Sequence, residues 1–315
     1  MSMEPAVYES NRPTKSRTRL RLLLIVVVLA LLTVIAGELA LRFIVGLGDP
    51  PLYQPDPAIE YLMVPGSYKR FGNTVFVNSA HMRSCESSIR RASSNERGVL
   101  VIGDSVVNGG SLTDQADLAT ELMPHIAEQR GWKVPLRVCN VSAGSWGPGN
   151  MLAFVQRYGS FGCSEVVIVL NSADLHDVPT FSELGPEHPT ARPCCAIEEL
   201  FRNYGRRFIR GAVAEVPPSG SKSAKQSLQE LLELLSTSGL RCRVLFHPTR
   251  QELAAGLEQF RTEAAAGNVP WCSSAARLRE AQGRGQDPYR DDIHPSAAGQ
   301  EALAGAIIDC LESSR

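Results

Sequence analysis

The stretch VLVIGDS, residues 99–105, decides the fold that this sequence predicts. Its first four residues are apolar, three of them β-branched, and the run ends at Gly103, as in a buried strand of a parallel sheet. Further strand-like runs lie at residues 137–141, 166–170 and 243–246. Helical spacing of apolar residues is found at 113–130, 227–236 and 297–311. Alternating strands and helices predict an α/β fold, with helices on both faces of a mostly parallel sheet.

Reactive side chains follow the ends of these predicted strands. In a parallel α/β sheet, ligands bind at the carboxyl ends of the strands. Gly103-Asp104-Ser105 follows the first strand directly. A serine at that turn exposes its hydroxyl, and its own N–H can help to bind an oxyanion. A plain strand-ending turn is the alternative, because Gly, Asp and Ser are common turn residues.

A second reactive segment, Asp291-Asp292-Ile293-His294-Pro295, precedes the last predicted helix. A nucleophilic serine needs a base to take its proton and an anion to orient that base. Asp291 and His294 are three residues apart, so one turn can supply both groups. Asp292 is the second candidate for the orienting role. Taken alone, His294 would more often be an ordinary loop histidine.

The two motifs together resemble the GDSL/SGNH hydrolase family: GDS at 103–105, followed far downstream by D-x-x-H-P at 291–295. The resemblance spans residues 97–312. It implies a flavodoxin-like three-layer α/β/α sandwich with a catalytic triad. By this resemblance Ser105 is the nucleophile, His294 the general base and Asp291 its orienter.

The resemblance also implies an oxyanion hole, formed by Ser105, Gly144 and Asn171. Residues 140–147 resemble the family's glycine block, in which Gly144 is expected to donate its backbone N–H and Ser145 is the alternative donor. The family's asparagine block usually reads G-x-N-D, but residues 171–174 read NSAD, which puts Ala173 at the asparagine position. Asn171 lies on the same face of an extended strand and is the expected substitute. Losing one such donor costs about 10²–10³ in rate.

Polar residues near these strand ends are expected to shape a substrate pocket. They are Asp104, Asp174 and His176. Asp174, His176 and Asp177 are also suggestive of a metal site, but strand-end geometry does not favour their convergence. Hydrogen bonding within the pocket is therefore the preferred interpretation, and the sequence predicts no metal and no cofactor.

The N-terminus has the pattern of a membrane anchor. Five basic residues occupy the first 21 positions, and an almost uninterrupted apolar run extends from Leu22 to Leu41. About 20 apolar residues suffice to span a bilayer, provided that Glu38 lies near the far interface. The positive-inside rule predicts a cytoplasmic tail (1–19), a single-pass signal anchor (20–42) in a bacterial inner membrane, and an exported catalytic domain. A signal peptide cleaved near Ala36 is the alternative.

Residues 43–96 are expected to form a linker and N-terminal extension, with a stiff proline-rich linker at 48–57 and a strand at 74–77. The hydrolase-like domain is expected over 97–315, interrupted by an insertion at about 178–226. That insertion either shapes the site or is a peripheral excursion. Eight cysteines permit disulfides in an exported domain, although the sequence does not determine their pairing.

The expected function is ester hydrolysis or O-acyl transfer through an acyl-enzyme, on acylated cell-surface or exported polysaccharide. Hydrolysis and transfer use the same residues, so the sequence does not separate them. The alternative is a catalytically weak protein that uses the same fold for glycan binding or assembly. The formal net charge of −1 argues against a nucleic-acid partner. The expected partners are an acylated carbohydrate and the membrane, and the sequence does not indicate an oligomeric state.

Overall fold

A computed structural model describes residues 15–90, 95–205, 222–257 and 269–313. Its centre is a five-stranded sheet in the order β6-β5-β7-β8-β9, in which every pairing is parallel. The strands are β5 (Arg97–Gly103), β6 (Leu136–Ser142), β7 (Glu165–Leu170), β8 (Arg241–Phe246) and β9 (Trp271–Ser273). This is the flavodoxin-like strand order, in which the switch point lies between the first and third strands, here β5 and β7.

Helices cover both faces of the sheet, so the three-layer α/β/α sandwich is confirmed. Helices α3 and α9 pack together on one face, and α4 and α6 pack on the other. The β5 side chains alternate between two cores: Val99 and Val101 face α9, whereas Leu100 and Ile102 face α4 and α6. The helices are α2 (Ser105–Asn108), α3 (Ala119–Gln129), α4 (Pro148–Tyr158), α5 (Ala196–Leu200), α6 (Ala224–Thr237), α7 (Arg250–Ala255), α8 (Ala275–Gly283) and α9 (Ala297–Glu312), all preceded by α1 (Lys15–Ala40).

Two elements differ from the sequence prediction. The helix expected over 113–130 begins only at Ala119, because short 3₁₀ turns occupy Gly110–Leu112 and Gln115–Asp117 before it. Pro124 lies inside α3, and the helix continues through it without interruption from Ala119 to Gln129. Strand β9 was not predicted, since three residues are too few to display a period of two.

The N-terminal extension folds as two hairpins. They pair β1 (Tyr53–Asp56) with β2 (Glu60–Met63) and β3 (Gly66–Arg70) with β4 (Asn73–Val77). Strand β4 confirms the prediction for 74–77. The prediction of a stiff linker over 48–57 is wrong: Gly48, Pro50 and Pro51 are buried, and β1 begins at Tyr53. Prolines occur both in extended linkers and in packed irregular segments, and this segment is packed against the rest of the protein.

Helix α1 precedes this extension and continues into a π-helical turn, Leu41–Val45. The apolar side chains from Leu20 to Ile35 project away from the rest of the protein. By length and composition the segment Arg17–Val45 can cross a membrane, although a signal sequence has the same properties. The tail predicted at 1–19 lies largely outside the described residues.

The predicted insertion, 178–226, is described over 178–205 and 222–226. Its first part runs without helix or strand to α5, which continues into a π-helical turn, Phe201–Gly205. The rest of the insertion, residues 206–221, lies outside the described residues. One disulfide, Cys272–Cys310, joins β9 to α9.

Candidate active site

Ser105 lies at the sharp turn between β5 and α2. Asp104 caps the helix by accepting the Val106 N–H at 2.9 Å. Gly103 is required here, because a Cβ at this position would overlap the Val107 side chain. The turn thus presents the serine hydroxyl at the carboxyl edge of the sheet, beside the switch point.

The loop before α9 brings His294 and Asp291 to this serine. His294 Nε2 lies 2.9 Å from Ser105 Oγ, and His294 Nδ1 lies 2.7 Å from Asp291 Oδ2. The other carboxylate oxygen of Asp291 accepts the backbone N–H groups of Ile293 (3.0 Å) and His294 (2.8 Å). The three side chains form one continuous chain of hydrogen bonds. His294 keeps 32% of its side-chain surface exposed and Asp291 keeps 48%, so these hydrogen-bonded side chains are accessible to solvent.

The hydrogen bonds around Asp291 shift its pKa. Burial alone would raise this pKa, but donation from His294 and Ile293 outweighs it and lowers the pKa below the ordinary aspartate value. Asp291 is therefore a carboxylate at neutral pH. A carboxylate accepting from Nδ1 fixes the histidine tautomer in which Nε2 is free to accept the serine proton.

Two residues that the sequence analysis did not assign to the site hold this loop. The Arg250 side chain donates to the carbonyl oxygens of Asp291 (3.2 Å) and Tyr289 (3.1 Å), and its backbone N–H donates to Asp292 O at 2.7 Å. His247 is fully buried after β8, with Nε2 lying 3.2 Å from Ile293 O. Neither residue has a sequence signature, because each contact joins segments about 40 residues apart.

A buried polar network lies beneath the serine. The Asn171 side chain donates to Asp104 Oδ2 at 2.9 Å and accepts the Ala173 N–H at 2.8 Å. The Asn171 backbone N–H donates to Asp174 Oδ2 at 2.8 Å. Asp104 Oδ2 also lies 3.3 Å from Ser105 Oγ. Asn171 therefore connects the nucleophile's turn with the loop that follows β7.

Both carboxyl groups of this network have raised pKa values. Burial raises the pKa of Asp104, opposed by hydrogen bonds and by the nearby His294. Burial also raises the pKa of Asp174 well above its ordinary value, and the neighbouring Asp104 adds to the rise. Two neighbouring buried carboxyl groups disfavour the doubly ionised state.

The loop after β6 completes this edge of the sheet. Gly144 is half-buried, and a Cβ built on it would meet no atom within 4 Å, so open space lies beside its backbone. Ser145 is exposed and has a φ of +57°, a left-handed conformation that is rare outside glycine. At Gly147, by contrast, a Cβ would overlap the Asp177 carbonyl oxygen, so the loops after β6 and β7 touch there.

A cavity of about 810 Å³ adjoins this loop. Ser145 and Asp177 line it from the sheet edge, and its other walls come from the N-terminal extension and the segment 178–189. Four carboxylates and one guanidinium face it: Glu60, Asp177, Glu183, Glu187 and Arg70. The insertion therefore contributes to this cavity.

The remaining sequence candidates are placed less centrally. Asp174 is buried within the polar network, whereas His176 is exposed. Ala173, at the family's asparagine position, is exposed and contributes its backbone N–H to Asn171. Asp291, not its neighbour Asp292, is the aspartate whose carboxylate contacts His294. Among the described residues, no group of three or more His, Cys, Asp or Glu could hold a metal ion.

Comparisons with known proteins give matches among solved structures only. No family model matches the chain, and no curated protein matches it. One matching structure is a lipolytic G-D-S-L family protein from Veillonella parvula (15% identity, 68% of this chain and 97% of that chain, TM-score 0.38). A second is an acetylxylan esterase from Geobacillus stearothermophilus (14%, 68% and 94%, TM-score 0.42). A third is a lipase/acylhydrolase from Enterococcus faecalis (16%, 69% and 96%, TM-score 0.41). These matches include the family that the sequence motifs resemble.

Proposed function

We propose that this chain is a serine esterase of the GDSL/SGNH type. The observation that carries the proposal is the continuous series of hydrogen bonds from Ser105 Oγ through His294 to Asp291. Nucleophile, base and orienting carboxylate then stand in the order that acyl transfer requires. The open space beside Gly144, in the loop that follows the strand paired with β5, leaves room for an ester carbonyl.

The reaction proceeds through an acyl-enzyme. Ser105 Oγ attacks the ester carbonyl carbon while its proton passes to His294 Nε2, and Asp291 stabilises the imidazolium. The tetrahedral intermediate collapses, and the departing alkoxide takes the proton from His294. Water, deprotonated by the same nitrogen, then attacks the acyl-serine. The acyl–Oγ bond breaks, the acid is released, and Ser105 Oγ regains its proton from His294. A sugar hydroxyl in place of that water gives O-acyl transfer instead.

The oxyanion is proposed to bind the backbone N–H groups of Ser105 and Gly144. The Asn171 amide, which donates to Asp104, is the third proposed donor. Ser145 is the alternative to Gly144, because its left-handed backbone lies at the mouth of the cavity.

The substrate is proposed to be an acylated carbohydrate of the cell surface or of exported polysaccharide, with its alcohol part in the cavity. A cavity of this size accommodates a sugar unit or two, and its wall mixes aromatic rings with hydroxyl and carboxyl groups. Among the described residues, the buried Tyr61 hydroxyl on this wall has no hydrogen-bond partner. The excess of carboxylates favours uncharged sugars over anionic ones.

The protein is proposed to be a single-pass protein of a bacterial inner membrane. The apolar span of α1, the basic residues toward its amino end and the disulfide Cys272–Cys310 support a cytoplasmic N-terminus and an exported domain. An alkaline wash of isolated membranes tests this. The chain should remain in the membrane pellet with residues 1–36 attached, and release of a shortened chain would favour a cleaved signal peptide.

Hydrolysis of p-nitrophenyl acetate by the full chain in detergent tests the chemistry. Ser105→Ala should lower kcat/KM by at least about a thousandfold. The matched control is Ser87→Ala, which alters an exposed serine and should retain full activity. A folded wild type without turnover would favour the alternative, a catalytically weak glycan-binding or assembly protein. With an acetylated oligosaccharide as donor and a free one as acceptor, product masses then separate hydrolysis from transfer.

A further inference from the structure

Glu38 is an acidic residue near the end of the apolar helix α1, and its carboxylate is bound by the catalytic domain. Its two oxygens accept the backbone N–H groups of Ala196 (2.9 Å) and Ile197 (3.0 Å), which begin α5. Arg42, one turn further along, donates to the same carboxylate at 2.6 Å. A carboxylate is costly in apolar surroundings unless it is hydrogen-bonded and paired. These three contacts offset that cost for the Glu38 carboxylate, and the two from Ala196 and Ile197 also join the helix to the domain.

A second set of contacts fixes the chain just after the helix. The Phe71 N–H donates to Gly46 O at 3.1 Å, and the Gly48 N–H donates to the buried Glu199 carboxylate at 2.5 Å. Arg70 forms a buried ion pair with the same carboxylate. The stretch that would have to be flexible for α1 to act as a loose tether is therefore bonded to the β3–β4 turn and to α5.

Large apolar side chains remain exposed at this junction. Phe43 is 81% exposed, Ile44 83% and Phe201 68%, and these three residues are termed the junction patch. Phe201 directly follows α5, which packs against both α1 and the turn that carries Phe43 and Ile44. Exposed apolar groups that adjoin a membrane-spanning helix fit a lipid surface.

The length of α1 sets the depth of the patch. From Leu20 to Glu38 the helix rises roughly 27 Å, which is close to the thickness of the hydrocarbon core. Phe43 lies about 8 Å further along, within the headgroup layer. Rings and aliphatic groups at that depth bury apolar surface without leaving the interface.

We propose that the junction patch lies in the outer headgroup layer and, together with Glu38, holds the catalytic domain against the lipid surface in one fixed orientation. This inference rests on the membrane anchoring proposed above. It has a consequence for substrate access, since Phe71, which bonds to Gly46 at the end of the anchor, also lines the cavity. Phe71 thus joins the cavity wall directly to the outer end of the anchor. The cavity would then lie within reach of a substrate carried on the membrane.

Headgroup-depth quenching tests the proposal on the full chain in phosphatidylcholine vesicles. Phe201→Trp adds a fluorophore to the patch, and the vesicles contain phosphatidylcholine with a nitroxide on its headgroup. We expect more than half of the added emission to be quenched. The matched control, Val134→Trp, places an exposed tryptophan before the amino end of β6 and should lose little. Equal quenching at the two positions would overturn the proposal.

The role of Glu38 is tested in the Phe201→Trp background. Glu38→Ala removes the acceptor for Ala196 and Ile197, so quenching at position 201 should fall toward the level of the Val134→Trp control. Thr33→Ala is the matched change within α1, because the Thr33 hydroxyl donates to Leu29 O of the same helix, and it should leave quenching intact. Unchanged quenching in Glu38→Ala would show that Glu38 does not hold the domain. Hydrolysis of p-nitrophenyl acetate reports folding, and vesicle flotation reports anchoring, each independently of quenching.

Discussion

The side-chain amide of Asn171 donates a 2.9 Å hydrogen bond to Oδ2 of Asp104, the residue before the proposed nucleophile. This contact joins the loop after β7 to the turn after β5. It occurs two residues before Ala173, where the GDSL/SGNH pattern leads one to expect the asparagine. Asn171 therefore supports the turn of the nucleophile, and it is also the third proposed donor to the oxyanion.

Replacement of Asn171 separates these two roles. Asn171→Ala removes a buried donor and leaves the Ala173 N–H without its acceptor, so the free energy of unfolding should fall by about 1–3 kcal/mol. Loss of an oxyanion donor should also lower kcat on the order of a hundredfold with little change in KM. Urea unfolding and steady-state kinetics on p-nitrophenyl acetate measure the two effects. A destabilised variant with normal kcat would limit Asn171 to a supporting role.

Asp174 should make stability depend on pH. Burial, and then the neighbouring Asp104, raise its pKa in the folded protein above the unfolded value. A carboxyl group of this kind stabilises the fold fully below its unfolded pKa, and the contribution is lost as pH rises through the folded pKa. Asp174→Asn retains an oxygen for the Asn171 N–H and cannot ionise, so its Tm relative to wild type should increase between pH 4 and pH 8.

Asp287 provides the matched control for that measurement. Donation from the Tyr289 N–H and from Arg250 lowers its pKa, so its folded value lies below the unfolded one. Its stabilising contribution is therefore present above the unfolded pKa and is lost as pH falls. Asp287→Asn should lose Tm relative to wild type at neutral pH and approach it in acid. A pH-independent Tm difference for Asp174→Asn would contradict the raised pKa.

His247 should act as a positioning residue for the loop that carries His294. Burial lowers the pKa of His247 to about 4, so the ring is neutral at pH 7 and can donate from Nε2 to Ile293 O. His247→Phe keeps the ring but removes this bond, and we expect kcat to fall about tenfold with little change in KM. Wild type should also lose stability as pH falls from about 6.5 toward 4, a loss absent from the variant. Unaltered kcat and acid stability in the variant would refute this role.

The Tyr61 hydroxyl should contribute to recognition of the alcohol part of the substrate. Tyr61→Phe keeps the buried ring and removes a hydroxyl without a partner among the described residues. KM for an acetylated xylo-oligosaccharide should rise several-fold, because one hydrogen bond contributes roughly 1 kcal/mol to binding. The kcat/KM for p-nitrophenyl acetate should stay unchanged. Tyr68→Phe is the control, because the Tyr68 hydroxyl bonds to Val64 O at 2.8 Å. Tyr68→Phe should lower the stability of the fold but leave KM for the oligosaccharide unchanged. Equal KM changes in both variants would contradict a role of the Tyr61 hydroxyl in substrate recognition.

The sequence was sufficient to predict four of the five strands of the sheet and to bring Ser105 together with His294 and Asp291. Continuous apolar runs form most of β5 (residues 99–102) and of β7 (residues 166–170), and this pattern is local. The Asp291–His294 contact depends on a spacing of three residues within a single turn. Ser105 could be placed near that turn because both lie at the carboxyl edge of a parallel sheet.

Contacts between distant segments were beyond the reach of sequence patterns. The partner of Glu38 lies 158 residues away, and the partner of the Asn171 amide lies 67 residues away. Neither contact has a periodic signature. The same applies to Pro50 and Pro51: their composition indicated an exposed linker, and only the packing of the hairpins determines that they are buried.

The most direct test of the central claim is labelling of the full chain by a fluorophosphonate probe, which reacts with activated serines. We expect one probe per chain, located at Ser105 by fragmentation of the peptide 98–130. Labelling should be lost in Ser105→Ala, strongly slowed in His294→Ala and retained in Ser87→Ala. An unlabelled but folded wild type, or a label on a different serine, would contradict the account.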